Sequence, residues 1–303
     1  MTQHDDFLDL EVMRLRHMDR ECEALSKYSR NLNLAAIQGK TSPVYNREDV
    51  LDSVQKILLR RNKANILLTG LAGCGKTAIA EGLAHRIVQT RLDYQRKNDE
   101  QSEPKPLFLD CVIYELSMNS LVSGSKYRGE FEEKMEKVLE ICATHPNIIL
   151  FIDEIHQIGV IGAAEGATNM GQILKPALAR GDVRIIGATT IEESEYIKKD
   201  KALARRFAEV MIHPLTGESA VQCLGKIMKD YESFHEIKLK NIKAKALFDK
   251  VVYFMPNSVF PNNVIDVIDE TLASAKYEGR KTVTMTEINQ TISRITGCII
   301  VGN

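Results

Sequence analysis

The segment Gly70-Leu71-Ala72-Gly73-Cys74-Gly75-Lys76-Thr77 fits G-x-x-x-x-G-K-[ST]. Glycines at these places let the backbone close around phosphate groups. The amide N–H groups at the start of the following helix present positive partial charge to them. Gly70, Gly73, Cys74, Gly75, Lys76, Thr77 and Ala78 are therefore the expected phosphate-contacting set. Lys76 is read as reaching the β- and γ-phosphates, and Thr77 as a Mg²⁺ ligand. Asp153 and Glu154 close the apolar run Ile148–Ile152, and carboxylates at the C-terminal end of a parallel strand sit where such sheets bind ligands. Asp153 is read as holding Mg²⁺ through its water shell, and Glu154 as orienting and activating the attacking water. The cofactors expected are ATP and Mg²⁺. Gly187-Ala188-Thr189-Thr190 places a hydroxyl at the same sheet edge; Thr190 can bond the γ-phosphate or the lytic water, with Thr189 as the alternative. Arg205 and Arg206 stand just before a further strand, and a guanidinium supplied to a neighbour's γ-phosphate stabilises transition-state charge.

These groups need a sheet to hold them. Short apolar runs at 66–68, 107–109, 148–152, 183–186 and 210–212 alternate with helical stretches, the pattern of a parallel sheet covered on both faces. The phosphate loop sits between an apolar run and a helix carrying Ile79, Leu83 and Ile87 at four-residue spacing. Residues 5–38 and 48–61 read as helical, and 93–106 as a polar loop. From Thr216 onward the β signal fades into helical segments near 217–232, 243–255, 261–278 and 284–294. Three segments follow: an N-terminal helical extension and linker (1–40), a large α/β domain (41–215) and a small helical lid (216–303).

Length and composition agree with that organisation. A chain of 303 residues, at a prior of about 150 per domain, suggests two lobes. A formal net charge of -1 excludes a global basic field for nucleic acid or anionic membrane. Hydrophobic residues at 44% and charged residues at 27% exclude wholesale disorder. No apolar run approaches the ~18 residues of a membrane span, and the acidic start is no signal peptide. Cys22, Cys74, Cys111, Cys142, Cys223 and Cys298 show neither a CxxC pair nor zinc spacing. Reduced thiols in a cytoplasm are expected.

Taken in order, the phosphate loop, Ile149–His156, Lys126-Tyr127-Arg128-Gly129-Glu130-Phe131-Glu132, Gly187–Thr190 and Ala202-Leu203-Ala204-Arg205-Arg206-Phe207 resemble an AAA+ ATPase of the Clp/Hsp100 unfoldase family. The first ATPase module of ClpA-type members is the nearest likeness, through Gly75–Ala84 and Ile265–Glu270. The resemblance runs from about Asn31 to about Thr296. It implies an α/β P-loop NTPase core with a five-stranded parallel sheet and a helical lid, assembled into a homo-oligomeric ring of six. By position, Pro43, Val44 and Tyr45, with Arg47 behind them, frame the adenine; Lys76 and Thr77 are the Walker A pair, Asp153 and Glu154 the Walker B pair. Thr190 is sensor 1, Arg205 and Arg206 are arginine fingers, and Lys126, Tyr127, Arg128 and Gly129 form the pore loop that grips a threaded polypeptide.

Departures from the pattern carry expectations too. Leu71-Ala72 and Cys74 replace the usual loop residues, and Cys74 suggests sensitivity to thiol oxidants. Pro261-Asn262-Asn263 stands where the family has Pro-Asp-Lys, so a lysine near the nucleotide is missing. The sequence is read as lacking the family's globular N-terminal domain, a coiled-coil insertion after Glu270 and a second module after Thr296, with Met1 as an expected natural start. Ile158-Gly159-Val160 resembles a peptidase-docking loop but follows Walker B, and is read as coincidence. The function expected is ATP hydrolysis coupled to unfolding, threading or disassembly of a protein substrate or an adaptor-delivered one. The alternatives are an ATP-switched assembly or regulatory ring, and a nucleic-acid loader, for which Arg60-Arg61-Asn62-Lys63 is the basic cluster worth noting.

Overall fold

A computed structural model describes residues 3–41, 43–97, 104–123, 128–157 and 170–300. The chain divides into two compact units. One runs through Thr69 and then from Lys76 to Met211; the other comprises Gly70–Gly75 and the chain from Ile212 on.

The first unit is built on a six-stranded sheet: β1 (Ser29–Asn31), β2 (Asn65–Thr69), β3 (Val112–Leu116), β4 (Ile148–Ile152), β5 (Arg184–Thr189) and β6 (Phe207–Met211), in the order β1-β3-β4-β5-β2-β6. Strands β2 to β6 are parallel, and every residue of β2 and β4 is buried, as strands covered on both faces must be. Because β3 follows β2 only after crossing two strand positions, β4 and β5 are inserted between them. That order lays the carboxyl ends of β2, β4 and β5 side by side, with Thr69 opposite Thr189 and Ile152 opposite Gly187.

Two strand positions differ from the sequence reading. The apolar triplet Leu107–Leu109 is a turn: Leu107 is 68% exposed and Phe108 has φ +63°, so the strand begins later, at Val112. Its apolar run was masked by Glu115, a charged residue at the strand's carboxyl end. Within 5–38, Ser29-Arg30-Asn31 is a strand instead of helix, pairing antiparallel with β3. Three polar residues on a sheet edge carry no apolar period to read.

The helices of this unit are α1 (Gln3–Glu21), α2 (Leu32–Ile37), α3 (Glu48–Leu58), α4 (Lys76–Lys97), α5 (Arg128–Thr144), α6 (Met170–Arg180) and α7 (Ile191–Lys199), with shorter turns between them. Leu15 and Met18 of α1, then Cys22 and Leu25, join Tyr114, Leu116, Val138, Cys142 and Leu150 in one buried cluster. Glu11 is fully buried and accepts from Arg14 Nη2 at 2.6 Å and Arg91 Nε at 2.5 Å, tying α1 to α4. Asp19 Oδ1 accepts from the Tyr114 hydroxyl at 2.7 Å and from Asn31 Nδ2 at 2.8 Å. The N-terminal segment is thus packed into the α/β unit as part of its core.

The second unit holds α8 (Gly217–His235), α9 (Ala244–Phe254), α10 (Asn262–Tyr277) and α11 (Met285–Thr296), plus a parallel pair of two-residue strands, β7 (Lys238–Leu239) and β8 (Thr282–Val283). Val264, Val267, Ile268 and Leu272 recur at helical spacing and are fully buried. A capping box of Thr284 and Glu287 starts α11, and left-handed Gly297 ends it. Five of the six cysteines are buried, Cys298 is exposed, and none forms a disulfide. No helix among the described residues is long and apolar enough to cross a membrane.

Candidate nucleotide site

In the second unit, the loop Gly70–Gly75 turns on Gly73 and Gly75, whose φ values of +78° and +93° a side chain rarely tolerates. A Cβ on Gly73 would stand 2.9 Å from Asn262 Cβ, at the start of α10. Asn262 donates to Asp266 and Asn263 is buried, donating to the Ser258 carbonyl oxygen. Both amides are neutral and are hydrogen-bonded within this unit. Cys74 is fully buried, and a Cβ on Gly70 would lie 2.8 Å from its Sγ. The oxidant sensitivity expected for Cys74 is therefore not supported by exposure: the thiol is a small packing group inside the loop.

In the first unit, Lys76 and Thr77 open α4, with Ala78 in its first turn. The hydroxyl of Thr77 donates to Asp153 Oδ2 at 2.7 Å. A hydroxyl and a carboxylate oxygen in contact are a hard-oxygen donor set that fits Mg²⁺, which is characteristically held by one or two protein oxygens together with phosphates and water. Among the described residues no group of three or more His, Cys, Asp or Glu forms a closed cage for a metal.

Glu154 has φ +47°, an uncommon backbone state for a residue with a side chain, and such strain concentrates at functional positions. The turn is held from several sides. The Glu154 N–H donates to Asp153 Oδ1 at 2.9 Å, the Ile155 N–H donates to the Ala188 carbonyl oxygen at 3.0 Å, and Gln157 bonds the Glu154 carboxylate. Ile155 is buried against Gly187 of β5, where a Cβ would meet its Cδ1 at 2.4 Å.

Of the two threonines, Thr189 is buried, and its hydroxyl meets His156 Nδ1 at 3.0 Å. Thr190 caps α7: its hydroxyl lies 2.8 Å from Glu193 Oε2 and accepts from the Glu193 N–H at 3.2 Å, a closed capping box. Those hydrogen bonds hold the Glu193 carboxyl below its usual range. To donate to a phosphate, Thr190 must release Glu193. His156, which joins the Walker B turn to β5, was missed in the sequence because a lone histidine after an acidic pair carries no spacing signal.

Val44 packs on α4, where a Cβ at Gly82 would come within 2.1 Å of its Cγ1; Tyr45 is half-buried, Asn46 is left-handed at φ +55°, and Arg47 is buried. Arg205 and Arg206 are exposed, and neither has an ion-pair partner among the described residues. Arg60, Arg61 and Lys63 are exposed beyond the end of α3. Lys126 and Tyr127 lie outside the described residues, as do Ile158, Gly159 and Val160; Arg128 and Gly129 open α5.

Comparison with known proteins adds the family. The ATPase family associated with various cellular activities (AAA) matches residues 66–215, and an AAA lid domain matches residues 216–298. The chaperone protein ClpB of Aquifex aeolicus (strain VF5) is 41% identical over 261 residues, which are 86% of this chain and 25% of that one. ClpB 1 of Thermosynechococcus vestitus is 42% identical over 257 residues, 84% of this chain and 28% of that protein. Among solved structures, the closed state of Hsp104 with ATPγS and FITC casein superposes with a TM-score of 0.76 at 33% identity, covering 90% of this chain and 45% of that one. The extended conformation of the S. cerevisiae Hsp104:casein complex gives a TM-score of 0.73 at 32% identity, with the same two coverages of 90% and 45%. The chain spans 25% to 28% of the length of these ClpB relatives. Matched by these two models from residue 66 to 298, and by ClpB and Hsp104 over most of its length, the chain belongs to the AAA ATPases of the Clp/Hsp100 group.

Proposed function

We propose that the chain hydrolyses ATP and couples turnover to unfolding or threading of a polypeptide, as a subunit of a homo-oligomeric, six-membered ring. The observation that carries the ATPase reading is the 2.7 Å bond between Thr77 and Asp153, which joins the end of the phosphate loop to the Walker B strand. Thr77 and Asp153 would hold Mg²⁺, which when bound would supply positive charge against that developing on the phosphates. Lys76 binds the β- and γ-phosphates, Val44 and Tyr45 frame the adenine, and Glu154 takes the proton of the attacking water. The left-handed turn at Glu154, fixed by Ile155 on β5, sets the direction of that carboxylate. Thr190 serves as sensor, exchanging its cap partner Glu193 for the nucleotide. Exposure of Arg205 and Arg206, with no ion-pair partner among the described residues, suits guanidiniums that act on a neighbouring subunit. The names of the relatives, chaperones and casein complexes, favour a protein client over nucleic acid.

Glu154→Gln tests the reading. It should bind ATP, turn over at least ~100-fold more slowly, and retain ring and client in a pull-down. Wild-type turnover in that variant would make Glu154 a structural residue. The pore-loop assignment is tested separately by Tyr127→Ala, which should lose client-stimulated turnover; a client response equal to wild type would favour an assembly switch.

A further inference from the structure

A cavity of about 600 Å³ opens beside the end of β4, and its walls include Arg30, Glu115, Asp153 and Glu154. Arg30 is the middle residue of β1 and stands directly across from Glu115 in the antiparallel pairing. Its Nη1 lies 3.7 Å from Glu115 Oε2 and 3.9 Å from Glu81 Oε1, and its Nη2 donates to the Lys40 carbonyl oxygen at 2.8 Å. Glu81 stands one turn beyond Thr77 on α4, so the two share a helix face. Glu115 is registered beside Phe151, two residues before Asp153. The Glu81 and Glu115 side chains are only 22% and 25% exposed. Burial pushes both carboxyls above their usual range; Glu115 adds to the effect at Glu81, Asp153 adds to it at Glu115, and Arg30 opposes it at both.

Glu115, Asp153 and Glu154 thus share the cavity with Arg30, and Glu81 joins them through Arg30; the hydrolytic chemistry uses two of these four carboxylates. Glu115, which feels the charge of Asp153, and Glu81, one turn beyond Thr77, are surplus negative charge near the Thr77–Asp153 donor pair, where they would draw a divalent cation away from it. Arg30 is the guanidinium in an ion pair with both.

We propose that Arg30 is a positioning residue for ATP hydrolysis, offsetting Glu81 and Glu115 so that the metal stays with Thr77 and Asp153 and Glu154 stays available to water. The inference rests on the ATPase reading above. It makes the N-terminal strand, which the Walker motifs do not include, part of the catalytic apparatus.

The test compares Arg30→Gln, Arg30→Lys and Arg30→Gln/Glu115→Gln with wild type in the full chain. Turnover at saturating ATP is measured together with the Mg²⁺ concentration that half-saturates binding of a fluorescent ADP analogue. Arg30→Gln should lower kcat about tenfold, the scale of lost outer-sphere partners, while KM for ATP stays within about threefold. Its Mg²⁺ half-saturation should fall at least about threefold, because uncompensated carboxylates attract the cation; general damage to the site would raise it instead. The double variant should regain most of the lost turnover. Turnover within about twofold of wild type in Arg30→Gln, or a double variant no faster than the single, overturns the proposal. If Arg30→Gln does not fold, Arg30→Lys decides: more than about half of wild-type kcat supports the charge role, and a tenfold loss overturns it. A wild-type chain without ATP turnover would sink the ATPase reading and this inference with it, whereas wild-type turnover with an unaffected Arg30→Gln sinks the inference alone.

Discussion

A single methyl group on Gly187 should disable the Walker B turn from behind. A Cβ there would stand 2.4 Å from Ile155 Cδ1, 2.9 Å from its Cγ2 and 3.1 Å from its Cβ. All three atoms belong to one buried side chain, so one residue has to yield. Ile155 is anchored by its N–H on the Ala188 carbonyl oxygen, and it follows the left-handed Glu154 directly. Displacing it displaces the Glu154 carboxylate. Overpacking of this kind costs about 1–3 kcal/mol of stability, and a shift near 1 Å at a reacting group lowers turnover by about 100-fold. Ile155→Ala alone opens a cavity and should cost about 2–5 kcal/mol. Combined, the two changes relieve each other, because alanine at 155 has neither Cδ1 nor Cγ2. The double variant should be more stable than the sum of the singles by about 1–3 kcal/mol. Urea denaturation gives the four stabilities, and single-turnover ATP cleavage separates chemistry from binding. Stabilities that add within about 0.5 kcal/mol, or wild-type cleavage in Gly187→Ala, would refute the packing argument.

Further outcomes follow from other contacts. Glu11→Ala strands two guanidiniums that now meet a fully buried carboxylate, and should cost about 3–5 kcal/mol, read by calorimetry as a melting midpoint lower by roughly 6–20 °C; an unchanged midpoint would mean that α1 does not dock on α4. Lys76→Ala should abolish nucleotide binding in equilibrium titration, since the loop loses its charge on the β- and γ-phosphates; normal affinity would remove the phosphate-loop assignment. Arg205→Ala/Arg206→Ala subunits should poison wild-type ATPase activity on mixing, and activity that only dilutes in proportion would argue against action on a neighbour. Thr190→Ala should cost about 1 kcal/mol of stability through loss of the cap. A chemical-denaturation midpoint equal to wild type would show that the cap contributes nothing.

The phosphate loop and the acidic pair after β4, which the structure joins through Thr77 and Asp153, were legible because each is a dense local pattern next to an apolar strand. The lid helices were legible from the period of residues such as Val264, Ile268 and Leu272. What the sequence concealed depends on partners far along the chain. Glu11 looks like one more acid on a charged helix until Arg14 and Arg91 close on it. Arg30 looks like a surface residue until β1 lays it across Glu115. Leu107-Phe108-Leu109 has the composition of a strand, and only the positive φ of Phe108 shows that the backbone turns there. Two-residue strands such as β7 and β8 are too short for any alternation to register. Thr190 could be placed at the sheet edge, but its engagement with Glu193 required seeing where α7 begins.

The distribution of the thiols has a practical meaning for watching this molecule work. Cys22, Cys74, Cys111, Cys142 and Cys223 are buried, and burial pushes the Cys142 thiol up to about 12 and those of Cys22 and Cys111 in the same direction. Maleimides react with accessible thiolates, and these five buried groups offer no access. Cys298, just past the end of α11, is the exposed one. This chain therefore carries one exposed thiol, on the lid, for a fluorophore or spin label, without first replacing the cysteines buried in the core and the phosphate loop.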